Sequence, residues 1–284
     1  MTTLPFTPLT PEQRRQFDEE GYLIVRNVLD GDTIERLIEV GDRLIATDIR
    51  ENRQQEVPGL YDGFRNVIGM DDVFRPLITH PVTLPLVIQL LGANLQVSTS
   101  HLIYRWVDAP DTPPTRRLPG WHRDNGRTRL DLGEANYPRM GLKCAFYLTD
   151  LSEPKSGATL MAPGSHLLKE KLHIPEGQAD PDNVVEPLLN PGDCVIFEYR
   201  TWHAGGLNLR HTRKAVMIGY AYRWLKPMDY IRQSPDVLNT MDTLQRFLVG
   251  ERVDDGVEFM PNGSWNPLAD WCSEHGVMAD RLGA

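Results

Sequence analysis

The sequence predicts a mainly β chain with flanking helices: an antiparallel sandwich or jelly roll behind an N-terminal helical buttress. Three observations predict it. Helix signals dominate the first third, and from about residue 95 the chain breaks into short apolar runs separated by Pro, Gly and Asp. No repeat, low-complexity segment or linker divides it. At 284 residues it is long for one ordinary domain, yet single β barrels and sandwiches reach this size. We therefore read residues 1–284 as one domain: a helical part over 1–94, a jelly-roll core over 95–225 and a turn-rich wrap or lid over 226–284.

Thr10, Pro11 and Gln13 supply an N-cap, a first-turn proline and a capping-box glutamine, so a helix runs to about Glu20 and stops at Gly21. The β-branched run YLIVRNVL (22–29) predicts a strand. Ile34, Leu37, Ile38, Gly41 and Ile45 recur at helical spacing and predict a second helix. VTLPLVIQLLG, near 82–92, predicts another, ended by Gly92. The strands follow as QVSTSHLIYRW, LKCAFYLTD, ATLMAPG, CVIFEYR and AVMIGYAY, and DAPDTPPTRRLPG (108–120) is a proline-stiffened loop.

Composition narrows the function. Cys144, Cys194 and Cys272 are widely spaced and odd in number, which argues against a disulfide framework or a structural zinc and for a reducing, cytoplasmic setting. The start lacks the basic-then-apolar order of a signal peptide, and no window approaches the length of a membrane span. A net charge of -9 without a Lys or Arg block speaks against nucleic acid and anionic membrane as partners and says little about a small-molecule site. Oligomeric state, monomer or homodimer, is not written in the chain.

The chemistry gathers around GWHRDNG (120–126). In a strand, residues i and i+2 point the same way, so His122 and Asp124 can bring an imidazole and a carboxylate to one point. A third ligand should come from another strand closing over the same cavity. His203 in RTWHAGG qualifies, at a strand end with Gly205 and Gly206 allowing close backbone approach. Two His and one carboxylate form the facial set of open-site ferrous enzymes, leaving positions for a chelating 2-oxo acid and for O2. The far carboxylate of that acid needs a fixed cation. Arg213 can make a bidentate pair and shares a strand face with Ala215, Met217, Gly219 and Ala221, whereas Lys214 falls on the bulkier face; Arg210 is the competitor.

Taken in order and spacing, FDEEGYLIVRNVL, GWHRD, FYLTDLSEPKSGATLMAPGSH, LNPGDCVIFEYRTWHAGGLN and Arg213 resemble the phytanoyl-CoA dioxygenase family of iron(II) and 2-oxoglutarate-dependent oxygenases, over roughly residues 12–224. The resemblance implies a double-stranded β-helix (cupin-like) core. It implies Fe(II) held by His122, Asp124 and His203, and 2-oxoglutarate held at its C5 carboxylate by Arg213. It further implies O2-dependent hydroxylation, or another oxidation, of a substrate C–H bond with release of succinate and CO2. One departure stands out. The family's arginine usually lies one residue further from the distal histidine, where this chain has Lys214, and a one-residue loop deletion explains it. Related halogenases carry a small residue at the position of Asp124, so a carboxylate there points to oxygenation. No basic loop offers itself to a CoA pyrophosphate, which favours a small metabolite or natural-product intermediate as substrate, selected by residues 50–66, 108–118 and the tail. The competing readings are a cupin-like metalloenzyme that does not use 2-oxoglutarate and a non-catalytic binding barrel.

Other polar residues have plainer readings beside the functional one. His166 closes a turn, His211 is solvated, Asn208 fixes a turn, and the Cys272 and His275 pair is half a motif. His101 faces either cavity or core. Tyr104 and Trp106 line a pocket near the cosubstrate or pack in the core. Lys143 interrupts an apolar strand, so its ammonium either reaches solvent or meets a carboxylate, and it is a candidate cofactor-binding group.

Overall fold

The structure, a computed structural model, describes residues 4–55, 57, 59–251 and 266–277. Helix α1 (Pro11–Glu20) opens with the expected capping box: the Thr10 hydroxyl accepts from the Gln13 N–H, and the Gln13 side chain accepts from that of Thr10. Gly21 ends it at φ +81°. Strand β1 (Tyr22–Val25) is shorter than the run 22–29 suggested. Asn27 turns the chain at φ 53°, its N–H held by Asp193 Oδ1 at 2.9 Å, and a left-handed residue cannot continue a ladder. Helix α2 (Gly31–Ile45) is capped by Asp30 and buries Leu37, Gly41 and Leu44.

The remaining elements among the described residues are β2 (Arg53–Gln54), β3 (Tyr61–Arg65), α3 (Val67–Met70), a 3-10 stretch over Asp72–Thr79, α4 (Thr83–Leu91), β4 (Leu95–Arg105), α5 (Gly126–Leu132), a 3-10 turn over Glu134–Asn136, β5 (Gly141–Tyr147), β6 (Thr159–Met161), a 3-10 turn over Ser165–Leu167, β7 (Cys194–Glu198), β8 (His203–Gly205), β9 (Arg213–Tyr222), α6 (Pro235–Leu238), α7 (Thr243–Leu248) and α8 (Pro267–Glu274). Among the described residues no single helix is long and apolar enough to cross a membrane.

A seven-stranded sheet runs β1-β7-β5-β9-β4-β3-β2, and β6 pairs with β8 in a second, small sheet. Every pairing is antiparallel. Isolated bridges from His122 to His203 and from Met161 to Val185 widen the small sheet. Met161, Leu151 and Leu189 pack against Ala145, Val195, Phe197 and Ala215, so the two sheets close on each other as the jelly roll the sequence predicts. Residues 50–66 were expected to vary with substrate, yet Tyr61–Arg65 forms a full strand of the large sheet, paired with β4. Asp62 and Gly63 hide it from a propensity reading. Asp62 is buried against Arg53 at 2.6 Å, and a Cβ on Gly63 would strike the Leu102 carbonyl.

The outer face of the large sheet carries Leu102, Tyr104, Cys144, Phe146, Ile196, Val216 and Ile218 into one core with the helices, drawn from residues as far apart as Phe17 and Val277. Helices α7 and α8 join that core through Leu244, Phe247, Leu268 and Trp271, so the described tail backs the helical side. Residues 252–265 and 278–284 of the expected wrap lie outside the described residues.

Strand register sets the opposite, inner face in rows. Arg213 stands beside Arg105 and Tyr61, then come Ala215, Tyr147 and Ile103, then Met217, Ala145 and His101, and finally Gly219, Lys143, Phe197 and Thr99.

Candidate metal centre

His122 and Asp124 lie on a segment bonded to the small sheet and to the loop after β7. His122 and His203 exchange two backbone hydrogen bonds of 3.0 Å, and the Asp124 N–H donates to the Tyr199 carbonyl at 3.0 Å. The close approach needs glycine. A Cβ on Gly205 would run into the Leu118 carbonyl, and one on Gly206 would lie 2.8 Å from that of Ala158. Between the two candidate ligands, Arg123 points the other way. Its guanidinium is buried, donating to the carbonyls of Arg200 (2.7 Å), Ser165 (2.6 Å) and Leu168 (3.0 Å), meeting Glu134 at 3.1 Å and stacking over Trp202. It ties three loops to the segment between the ligands. The Tyr137 hydroxyl adds a bond to the Asp124 carbonyl.

The three side chains meet. Their ligand atoms all lie within 4.8 Å of one another, with His203 Nε2 at 3.9 Å from Asp124 Oδ2. Each imidazole donates from Nδ1 to a carbonyl two residues earlier, Gly120 at 2.8 Å for His122 and Thr201 at 2.9 Å for His203. A carbonyl only accepts, so the proton sits on Nδ1 and the Nε2 lone pairs are left for a metal. Burial pushes the His203 imidazole down to about 3. Burial raises the Asp124 carboxyl, but Lys143 and the two histidines outweigh it and hold the group well below the usual range. Ligands in these protonation states do not have to shed a proton to bind metal. Lys143 Nζ lies 2.7 Å from Asp124 Oδ2, an oxygen that accepts no aligned hydrogen bond. Two imidazoles that each donate from Nδ1 to a carbonyl, and a carboxylate with that oxygen near His203 Nε2, fit a ferrous ion.

Arg213 is buried. Nη1 donates to the Gly157 carbonyl at 2.9 Å and approaches Thr159 Oγ1 at 3.5 Å, while Nε is buried without a partner. Among the described residues no carboxylate pairs with it, and burial pulls its pKa down. A buried guanidinium with no counter-charge is a site for an anion. Arg210 instead is half exposed beside Glu153 at 3.7 Å, and Lys214 turns outward to Asp42 at 2.6 Å.

Lys143 therefore meets a carboxylate inside the barrel. Tyr104 does not reach it: its ring lies on the outer face against Trp106 and Lys214, and its hydroxyl donates to Asp42 at 2.7 Å. Strand alternation puts it there, since Ile103 and Arg105 take the inner face. His101 takes the inner face too, with Nε2 3.3 Å from the Tyr61 hydroxyl. His166 is bonded to the Asp18 carbonyl at 3.1 Å, away from the three ligands, and Asn208 ties the carbonyls of Arg105, Trp106 and His211. The sequence reading missed Arg123, Tyr147 and Thr159. The strand pattern flags Arg123, the residue alternating between two same-facing ligands, but only the fold shows Thr159 and Tyr147, joined at 2.7 Å, beside Arg213.

Comparison with known proteins identifies the family. The family described as phytanoyl-CoA dioxygenase (PhyH) matches residues 17–215. The chain belongs to the phytanoyl-CoA dioxygenase family. Among its relatives, "Dioxygenase trt7" of Aspergillus terreus is 25% identical over 254 residues, covering 86% of this chain and 85% of that protein. "Iron/alpha-ketoglutarate-dependent dioxygenase ausO" of Aspergillus calidoustus is 24% identical, covering 87% and 85%. Two solved structures share the fold of this family member. HygX from Streptomyces hygroscopicus, with nickel and 2-oxoglutarate bound, has a TM-score of 0.61 at 16% identity, covering 81% of this chain and 94% of that one. The epimerase SnoN, in complex with Fe3+, alpha ketoglutarate and nogalamycin RO, has a TM-score of 0.58 at 20% identity, covering 86% and 95%.

Burial also predicts a pH response for this family member. Desolvation pulls His80, His101 and His166 below the ordinary imidazole value of 6.5. Each is neutral in the fold and takes up a proton on unfolding, so its stabilising effect is complete above about pH 6.5 and declines as pH falls below that. The melting temperature of metal-free protein should drop between about pH 7 and pH 5, before most carboxylates titrate. An unchanged melting temperature over that window would mean that these imidazoles accept protons without unfolding.

Proposed function

We propose that His122, Asp124 and His203 hold the iron of a 2-oxoglutarate-dependent dioxygenase reaction in this chain, and that Arg213 receives the C5 carboxylate of the cosubstrate. The protein is an enzyme acting on a small molecule, oxidising a C–H bond of a metabolite or natural-product intermediate. The observation that carries the reading is the convergence in one barrel of two imidazole Nε2 atoms, a carboxylate and a buried arginine that has no acidic partner among the described residues. Names among the relatives and the ligands of the fold neighbours support the cofactors.

When bound, ferrous iron and 2-oxoglutarate supply the oxidant by activating O2, with release of succinate and CO2. The chain supplies position. The carbonyls of Gly120 and Thr201 fix the ring orientation of both histidines, and Arg123 and Tyr137 hold the backbone on either side of Asp124. Arg213 would hold the far carboxylate of the cosubstrate, and Ala215, Tyr147 and Met217 form the wall of the inner face between its row and that of Lys143. That wall is apolar and largely closed to solvent, which strengthens the charge contacts at both ends.

The test is an anaerobic absorbance titration of metal-free protein with Fe(II), then 2-oxoglutarate. A weak visible charge-transfer band that needs both additions is expected. Absence of the band in protein shown to contain iron would remove the oxygenase reading and leave a metal barrel that does not use 2-oxoglutarate.

A further inference from the structure

We propose that the substrate carries a carboxylate and that Lys143 receives it. This rests on the dioxygenase reading above and adds the substrate class. The argument is a balance of charge inside a closed space. On the inner face, Arg105 is neutralised by Asp108 at 2.6 Å, and Arg65 lies 3.9 Å from Asp229. His101 is neutral, its pKa pulled down by burial first and then by Arg65, Lys143 and Arg213. Among the described residues, two cations and one anion remain: Arg213, Lys143 and Asp124.

In the protein as described, Lys143 and Asp124 neutralise each other at 2.7 Å, and Arg213 is left over. Loading changes this. Ferrous iron brings two positive charges to Asp124, and 2-oxoglutarate brings two negative charges, one of which Arg213 takes. Iron, Asp124 and the second carboxylate then sum to zero. Lys143 is left with one positive charge beside a metal ion, with 9% of its side chain exposed. A buried ammonium without a counter-charge is unfavourable, and an anionic group on the incoming substrate removes the penalty.

Position supports the same assignment. Lys143 is level with Gly219, six residues along β9 from Arg213, about 20 Å of strand at roughly 3.3 Å per residue. It stands at the metal end of the rows, next to Gly219 and Thr99. Its Nζ lies over the Phe197 and Tyr199 rings at 5.7 and 6.0 Å, which hold the ammonium in the barrel. A lysine serving only to steady Asp124 would need no further anion, and the two roles separate experimentally.

The experiment uses protein loaded with Ni(II), which does not turn over, and 2-oxoglutarate. The probes are benzoate, 1-naphthoate and phenanthrene-9-carboxylate, each beside its methyl ester, followed by calorimetric titration and thermal shift. At least one acid should bind about tenfold or more tightly than its own ester. Lys143→Met should abolish that preference while the variant still binds Ni(II) and 2-oxoglutarate with less than about a tenfold loss of affinity. The proposal is overturned if no acid binds, if ester and acid bind alike, or if the preference survives in Lys143→Met. A tenfold loss of 2-oxoglutarate or Ni(II) affinity in the variant also overturns it, assigning the ammonium to the cosubstrate or to Asp124 alone. The dioxygenase reading fails separately, if the wild-type protein with Ni(II) does not take up 2-oxoglutarate before any acid is added.

Discussion

Asp124→Ala is expected to abolish the Fe(II) and 2-oxoglutarate charge-transfer band and to lower metal affinity well beyond the roughly 10–100-fold that follows loss of an outer-shell partner. Two effects add. The site loses its only anionic ligand, and Lys143, now without its carboxylate, presents an uncompensated ammonium to an incoming dication. The same change should destabilise the metal-free protein by about 3 kcal/mol, because removing one member of a buried pair strands the other. The double variant Asp124→Ala with Lys143→Met separates the causes. It should recover most of the lost stability and none of the metal binding, as read by melting temperature and by Mn(II) titration. Recovery of metal binding in the double variant would show that charge repulsion, rather than ligand loss, emptied the site.

Arg213→Met should act in opposite directions on binding and on stability. Removing the guanidinium takes away the partner of a buried carboxylate, and such truncations cost about 2–5 kcal/mol, or roughly 30-fold to several-thousandfold in 2-oxoglutarate affinity. Fe(II) binding is unaffected. The metal-free variant should melt above wild type, because a buried cation with an unpartnered Nε is replaced by an apolar chain of similar length. Arg213→Lys should not restore affinity, since an ammonium lacks the planar fork. An unchanged 2-oxoglutarate dissociation constant in Arg213→Met would end the assignment.

Local signals in the sequence translated directly into structure. The capping box at Thr10 and Gln13, the stop at Gly21 and the two-residue alternation of β9 depend on neighbours within a few positions, and the structure reproduces each. The alternation of β9 also separated Arg213 from Lys214 before any fold was known. The same rule does not place Tyr104, because alternation puts Tyr104 and Trp106 on one face without saying whether that face meets cavity or core. Only the burial of Ile103 on the inner side decides that Tyr104 faces α2 and Asp42. Strand β3 escaped because its Asp62 and Gly63 are explained by partners elsewhere, Arg53 and the Leu102 carbonyl.

By itself, then, the sequence determined which residue types alternate, where helices start and stop, and that His122, Asp124, His203 and Arg213 were available; the expected strand under His122 and Asp124 is a single bridge to His203 followed by a bend. The tertiary structure decided what those residues meet. It closed His203 onto His122 across some eighty positions, buried Arg213 with no acid beside it among the described residues, and set Lys143 against Asp124. The physical reason is that strand periodicity is a local consequence of backbone geometry, whereas the charge a buried group experiences depends on chain segments distant in sequence and adjacent only after the sheets close.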